Sequence, residues 1–160
     1  MAARKNKPTD QPAIVNRRAR HDYLIEETLE AGIVLTGSEV KSLRAGGASI
    51  AEGYVRAQAS PPGLTLHGVH IQEYPPAAGR QHDPTRVRRL LAHKREIRRL
   101  ADATRVKGVT IVPLRIYFTR GRAKVEIGLA RGKRRSDKRD SIETREARRE
   151  IDRALSRRRR

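Results

Sequence analysis

A dense group of basic and aromatic side chains lies near the amino terminus of the chain. Residues 16–23 read NRRARHDY, which brings guanidinium, imidazole and phenol groups together in one short segment. Guanidinium groups pair with phosphate oxygens, and aromatic rings stack on unpaired bases. This chemistry favours recognition of a phosphate-bearing polymer; the alternatives are a solvated basic arm and a core position for Tyr23. The candidate contacts are Asn16, Arg17, Arg18, Arg20, His21 and Tyr23.

The overall charge points to the same kind of partner. Lys and Arg number 37 against 18 acidic residues, which gives a formal net charge of +19. Such a chain repels itself unless a polyanion neutralises it, and each neutralised phosphate releases counterions. Nucleic acid is favoured over an anionic membrane surface because no basic helix in the sequence has a bulky apolar face. No signal-peptide pattern follows the basic start, and no apolar run approaches the roughly 20 residues of a membrane helix, so a cytoplasmic location is expected.

Patterns for catalysis or metal binding are weak. The absence of Cys excludes disulfides, thiolate metal sites and Cys nucleophiles. His67 and His70 are three positions apart in a predicted strand, which places them on opposite faces. The acidic neighbours Glu26, Glu27 and Glu30 are typical of a charged solvent face. With neither a phosphate-binding Gly-rich loop nor a nucleophile elbow in the sequence, we predict no catalytic residue, no metal site and no cofactor.

The side chains above must be positioned by short strands and a few helices. Alternation and turn signals predict strands at 23–29 and 33–35 around a turn at Gly32, then at 54–57, 64–67, 110–118 and 124–129. Helices are predicted from Thr36 to a stop at Gly46-Gly47 and over residues 86–102, with a loop at 75–85. About six strands with two or three helices fit a small antiparallel barrel better than a parallel sheet. We therefore predict a mainly β fold of the oligonucleotide-binding (OB) type.

The domain organisation follows from breaks in composition. Residues 1–15 are predicted to be a flexible basic arm, residues 16–131 the barrel domain, and residues 132–160 a basic tail. The tail is too polar to bury a core of its own, so we expect it to be disordered when free. Asp140 marks a possible helix start, and Ala147, Ile151, Ala154 and Leu155 share one helical face. We expect the tail to become helical when it is bound.

Four stretches of the chain resemble the SsrA-binding protein family. The first is the NRRARHDY segment described above. The others are residues 30–44, EAGIVLTGSEVKSLR; residues 83–94, DPTRVRRLLAHK; and residues 124–133, KVEIGLARGK, followed by DKR at 137–139. They occur in the order of the family, from about residue 14 onward. The segment GSEVKSLR is the most specific of them.

The resemblance implies a non-enzymatic RNA-binding protein with an OB-type barrel and flanking helices. It would bind the tRNA-like domain of transfer-messenger RNA (tmRNA, SsrA) near the elbow and deliver it to stalled 70S ribosomes for trans-translation. Its tail would enter the decoding centre, beside small-subunit rRNA. Elongation factor Tu would be an indirect partner through the charged RNA, and a monomer without membrane contact is expected.

The same resemblance supplies further site residues. The RNA-binding candidates are Glu39, Lys41, Arg44, Arg86, Arg88, Lys94, Lys124, Arg131, Lys133 and Arg134. The tail candidates for the decoding centre are Asp137, Lys138, Arg139, Ile151 and Leu155. For Glu39, three roles are open: to orient Lys41, to accept a hydrogen bond from a base amine, or to form an ion pair.

One position departs from the family pattern, and two other functional classes stay open. Family members commonly carry Tyr or His before the DKR motif, whereas this chain has Ser136, so Arg134 and Arg135 are the candidates for stacking there. A ribosomal or ribosome-assembly protein is the first alternative, which a preference for tmRNA over rRNA fragments would exclude. An RNA-processing enzyme that uses the acidic cluster is the second, and it would require Mg²⁺-dependent cleavage or modification.

Overall fold

Antiparallel strands make up most of the architecture, and the computed structural model describes them within residues 13–157. The strands are β1 (Ile14–Val15), β2 (Tyr23–Ile33), β3 (Ala48–Ser49), β4 (Tyr54–Gln58), β5 (Gly63–His67), β6 (His70–Ile71), β7 (Arg88–Leu91), β8 (Val109–Thr119) and β9 (Arg122–Gly132). The helices are α1 (Ala19–Asp22), α2 (Gly37–Arg44), α3 (Lys94–Ala103) and α4 (Arg135–Arg157), with one 3₁₀ turn at Pro75–Ala77.

Six of these strands form a partly open barrel. Their order is β8–β4–β5–β7–β2–β9, and β9 pairs with β8 to complete the ring. All of these pairs are antiparallel, with long ladders between β2, β9 and β8 and short ones elsewhere. Strand β1 is added at the edge of β8, and β3 pairs separately with β6. The predicted mainly β antiparallel barrel is confirmed.

The barrel interior is aliphatic because alternate residues of each strand point inward. Leu66, Ile111, Ile116 and Val125 have no solvent exposure, and Leu43 of α2 is equally buried. Helix α3 adds its own apolar side to the same core, since its Ile, Leu and Ala residues recur at helical spacing.

A second, smaller cluster lies under α1, between the helix and the strands β8 and β9. It is formed by Ala19, Val112, Leu114 and Ala130, with Tyr23 packed against it. The ladder between β8 and β9 shifts register between Pro113 and Arg115, which lets β8 supply this cluster before Ile116 returns to the interior. Tyr23 therefore has the packing role that the sequence left open.

Two predicted elements were wrong. The turn at Gly32 does not exist, because β2 continues from Tyr23 to Ile33; a Cβ on Gly32 would lie 3.3 Å from Cβ of Leu91, so glycine permits the close approach of β7. The predicted helix over residues 86–102 begins only at Lys94. Residues Arg88–Leu91 form β7 instead, with alternating burial, because Arg88 and Leu90 point inward.

Elements at both ends of the described residues begin earlier than predicted. Ile14 and Val15 pair with Ile116 and Arg115, so the ordered domain begins before the predicted boundary at residue 16; residues 1–12 of the arm lie outside the described part. Helix α4 begins at Arg135 rather than near Asp140. Within the described residues, none of the helices is long and apolar enough to cross a membrane.

Candidate RNA-binding site

The segment before α1 is fixed by a buried side chain. Nδ2 of Asn16 donates hydrogen bonds to the carbonyl oxygens of Ile50, at 3.2 Å, and Pro113, at 3.0 Å. Its Oδ1 accepts a hydrogen bond from the backbone N–H of Ala19 at 3.0 Å. With 6% of its surface exposed, Asn16 positions α1 and is not free to contact RNA, which corrects its assignment as a contact.

The basic residues around α1 form a group that we call the α1 cluster: the exposed Arg17, Arg18 and Arg20 with the partly buried His21 and Lys133. Lys133 joins it because its Nζ donates a hydrogen bond to the carbonyl oxygen of Arg20 at 2.9 Å. Arg18 is bound to Glu52 at 2.8 Å, and Nδ1 of His21 lies 3.0 Å from Asp22. The structure therefore brings together the first predicted motif and the end of β9.

A hollow of about 590 Å³ opens beside the α1 cluster. Arg17, Arg20 and His21 line one side, and Ile142 and Arg145 of α4 line the other. Cationic walls on a concave surface raise the local potential felt by a phosphate chain.

Glu39 is a structural residue, buried at the N-terminus of α2. Its carboxylate accepts hydrogen bonds from Nε of Arg88, at 2.9 Å, and from Nε of Arg86, at 2.8 Å. It also accepts a hydrogen bond from the backbone N–H of Thr36 at 2.8 Å, which completes a capping box for α2. Glu39 and Arg88 have fully buried side chains, so the assignment of these two residues as RNA contacts was wrong.

The other hydrogen bonds of Arg88 explain why a guanidinium can be buried here. Its two terminal nitrogens donate to the carbonyl oxygens of Val69, at 2.7 Å, and Pro84, at 2.9 Å. Arg86 is partly exposed and is occupied by the same carboxylate. Arg86 and Arg88 therefore anchor the loop before β7 to α2, which is a role in positioning.

Replacement of Glu39 by Gln is expected to lower the free energy of unfolding by about 3–5 kcal/mol, because Arg88 would keep a buried charge without its partner. Burial opposes ionisation of Glu39, but the hydrogen bonds from Arg86, Thr36 and Arg88 outweigh it and lower the pKa of this carboxyl. The stabilisation is therefore complete above about pH 4.5 and is lost as the pH falls through the lower pKa of the folded state. Urea unfolding at several pH values measures both effects.

The matched control for this prediction is Glu27→Gln. Glu27 pairs with Arg99 on the surface, where both side chains are largely exposed. The free energy of unfolding should therefore fall by no more than about 1 kcal/mol. Equal losses in the two variants would contradict the structural role of Glu39.

The predicted cations of α2 lie over aromatic rings. Nζ of Lys41 is 5.4 Å from the ring centre of Tyr74, and the guanidinium of Arg44 is 5.3 Å from that of Phe118. Both cations are exposed and held in place by these contacts. They form a second basic group, separate from the α1 cluster: Phe118 is six residues along β8 from Val112, about 20 Å in an extended strand.

An apolar groove of about 350 Å³ runs from α2 to β9. Val40 and Leu91 contribute to its wall, and Arg122 and Lys124 lie at its edge. Leu91 is 48% exposed, which is unusual for a leucine in a strand beside basic residues. Of these residues, Lys124 was predicted from the sequence as an RNA contact, whereas Leu91 and Arg122 were not.

A polar network next to Lys124 was also missed. Glu30 accepts a hydrogen bond from the hydroxyl of Tyr117 and lies 3.5 Å from Nζ of Lys124. Arg115 lies over the ring of Tyr117 at 4.7 Å. Burial and the hydrogen bond to Glu30 raise the pKa of Tyr117, so this phenol stays neutral and acts as a donor. Sequence spacing had given no signal for this cross-strand arrangement, since the partners come from three strands.

The remaining candidates occupy scattered positions. Arg131 pairs with Glu26 at 3.1 Å, and Lys94 is exposed in the first turn of α3. The backbone N–H of Arg134 donates to Asp137 at 3.1 Å, which caps the start of α4 and explains why this helix begins earlier than predicted. Arg139 and Ile151 are exposed on α4; the side chains of Lys138 and Leu155 lie outside the described part.

The histidine pair and the acidic residues form no metal site. Within residues 13–157, no group of three or more His, Asp or Glu side chains is placed to hold a metal ion.

His82 is buried, with Nδ1 2.9 Å from Oγ of Ser38 and Nε2 donating to the carbonyl oxygen of Ile71 at 3.1 Å. It therefore joins the loop to α2.

A small antiparallel barrel whose helices carry exposed cations, two of them held over the rings of Tyr74 and Phe118, is typical of single-domain RNA-binding barrel proteins. The sequence profile described as "SmpB protein" matches residues 13–157. The chain belongs to the SmpB family.

Individual relatives agree with this. The chain is 59% identical to the SsrA-binding protein of Thermobifida fusca (strain YX) over 144 residues, 90% of this chain and 89% of the relative. It is 55% identical to the SsrA-binding protein of Moorella thermoacetica over 141 residues, 88% and 90% of the two chains. A solved structure described as "tmRNA-SmpB: a journey to the center of the bacterial ribosome" is 49% identical, with a TM-score of 0.65 over 82% of this chain and 94% of that one.

Proposed function

We propose that this chain binds the tRNA-like domain of tmRNA and delivers it to stalled ribosomes for trans-translation. The observation that carries the proposal is the match of the SmpB profile to the whole described domain. The solved relative is described as tmRNA-SmpB in the bacterial ribosome, and this chain has the same fold at 49% identity. The name of the relatives describes binding and not catalysis, in agreement with the prediction that the chain is not an enzyme.

The exposed cations supply the chemistry for this function. The α1 cluster and the pair Lys41 and Arg44 lie on folded elements, so little side-chain entropy is lost when they meet phosphates. Two separated basic groups suit a bent, folded RNA such as a tRNA-like elbow, which is recognised by shape and by unpaired bases. The DKR motif at the start of α4 would reach the decoding centre, beside small-subunit rRNA.

The remaining partners follow from the same proposal. Elongation factor Tu would be an indirect partner that binds the charged end of the RNA. The chain would act as a monomer in the cytoplasm, where ribosomes work, and it would need neither a cofactor nor a membrane.

Binding of the isolated tRNA-like domain should weaken steeply as salt rises. About five or six phosphate contacts predict a slope of roughly −4 to −6 in a plot of log affinity against log salt. Titration with labelled RNA between 50 and 200 mM salt measures it. An rRNA fragment of equal length is the control and should bind at least tenfold more weakly. Equal affinity for both RNAs would favour a ribosome-assembly protein and contradict the proposal.

A further inference from the structure

The outer face of β4 and β5 carries a stacked aromatic pair that none of the contacts above uses. Tyr54 lies directly opposite His67 in the antiparallel register. Their ring centres are 5.1 Å apart, and the planes meet at 11°. Tyr54 is nevertheless 45% exposed, so much of a large aromatic side chain is open to solvent.

The imidazole behind Tyr54 is held in place. Nε2 of His67 lies 2.9 Å from Oγ1 of Thr65, on the same outer face of β5. Burial, together with the positive charge of Arg56, lowers the pKa of His67, so the ring is neutral at neutral pH. A neutral, fixed ring supports Tyr54 in one orientation, which reduces the entropy lost when a ligand stacks on it.

Two guanidiniums flank this pair. Thr65 lies opposite Arg56 on one side and Arg89 on the other, and both arginines are exposed on the outer face. The strands β4, β5 and β7 contain no acidic residue. The nearest acid in sequence, Glu52, is occupied by Arg18 at 2.8 Å. The charge of this face therefore suits an anionic ligand.

We propose that Tyr54, supported by His67 and flanked by Arg56 and Arg89, stacks on one unpaired base of the tRNA-like domain of tmRNA. An exposed ring beside guanidiniums matches a base with its neighbouring phosphates, whereas an apolar peptide would leave both arginines without anionic partners. This inference rests on the proposed function. A hollow of about 150 Å³ lies between Tyr54 and the α1 cluster. Its lining includes Arg18 together with Asp22 and Glu52, and both carboxylates are paired with Arg18.

Substitution of Tyr54 in the full chain tests this stacking. Loss of one base–aromatic contact predicts binding of the tRNA-like domain about 5- to 100-fold weaker in Tyr54→Leu, at fixed salt and with an unchanged melting temperature. Tyr54→Phe keeps the ring and should bind like the wild type. Arg56→Ala should lower the salt slope by about one. Val106→Ala, which removes another exposed apolar side chain far along the sequence, should have no effect.

The outcomes separate this inference from the function on which it rests. If the wild type binds the RNA and Tyr54→Leu binds equally well, the stacking is refuted while the proposed function stands. Failure of the wild type itself to bind would refute both. If Tyr54→Phe binds the RNA as weakly as Tyr54→Leu does, the RNA recognises the hydroxyl and not the ring, and the stacking is refuted. If Tyr54→Leu weakens binding to vacant small ribosomal subunits but not to the tRNA-like domain, the stacked base belongs to rRNA and the proposal is overturned.

Discussion

Alanine at Arg18, Arg20, Lys41 and Arg44 together is expected to weaken binding of the tRNA-like domain by roughly a thousandfold. All four side chains are exposed, and none lies in the buried core, so the fold should survive. A contribution of about 1 kcal/mol from each charged contact gives about 4 kcal/mol in total. The slope of log affinity against log salt should fall by about four at the same time. Filter binding and circular dichroism measure affinity and fold.

The matched control removes four charges elsewhere. Alanine at Arg95, Arg98, Arg105 and Lys107 changes the net charge equally but leaves both basic groups intact. This control variant should weaken binding of the tRNA-like domain by no more than about tenfold, as expected for long-range attraction alone at moderate salt. Equal losses in the two quadruple variants would mean that affinity depends on overall charge and that neither basic group is the site.

The separation of the two basic groups also predicts how the double variant at each group should bind RNA. Arg18 and Arg20 lie at α1, whereas Lys41 and Arg44 lie at α2, about 20 Å away along β8. Sites that far apart without shared partners lose free energy additively. The two double variants should therefore each lose about half of the total, which is consistent with one RNA that spans both groups.

Local sequence signals were sufficient for much of the barrel. Strict alternation predicted β4 and β5 to within a residue, and the segment from Thr36 to Glu39 was correctly predicted to open α2. These signals act over a few positions, so one sequence contains them in full. The strands β8 and β9 were also predicted, on either side of a turn that contains Gly121, although β9 begins two residues before and ends three residues after the predicted 124–129.

The predictions that failed depended on contacts distant in sequence. Arg88 looks like one more cation on a basic helix, and only its pairing with Glu39, 49 residues away, buries it in β7. Gly32 looks like a turn residue until Leu91 is placed against it across the sheet. For the same reason the family resemblance could not separate Lys41, which is exposed, from Glu39, which is buried two positions earlier.

The tail presents a different problem, since its helix has few contacts to support it. Every described side chain of α4 is exposed, and Ile142 and Arg145 line the hollow beside the α1 cluster. Isolated helices are marginal in water when no apolar face is buried. Disorder of the free tail therefore stays a prediction, which sharp, poorly dispersed amide resonances after about residue 132 would support.

Truncation after Gly132 removes only Lys133 from the α1 cluster, so it should weaken binding of the tRNA-like domain by no more than about fivefold, as expected for one charged contact of about 1 kcal/mol. It should nevertheless abolish tagging of stalled peptides, because the DKR motif could no longer reach the decoding centre. Proline at Ala147, in the middle of α4, should cost about 3 kcal/mol of helix stability and reproduce this loss of tagging. Ala147→Gln keeps a good helix former at the same position and should tag normally. A reconstituted reaction with ribosomes stalled at the end of a message measures the rate. Normal tagging by the proline variant would mean that the tail acts as an unstructured cationic strand, and folding on docking would have to be abandoned.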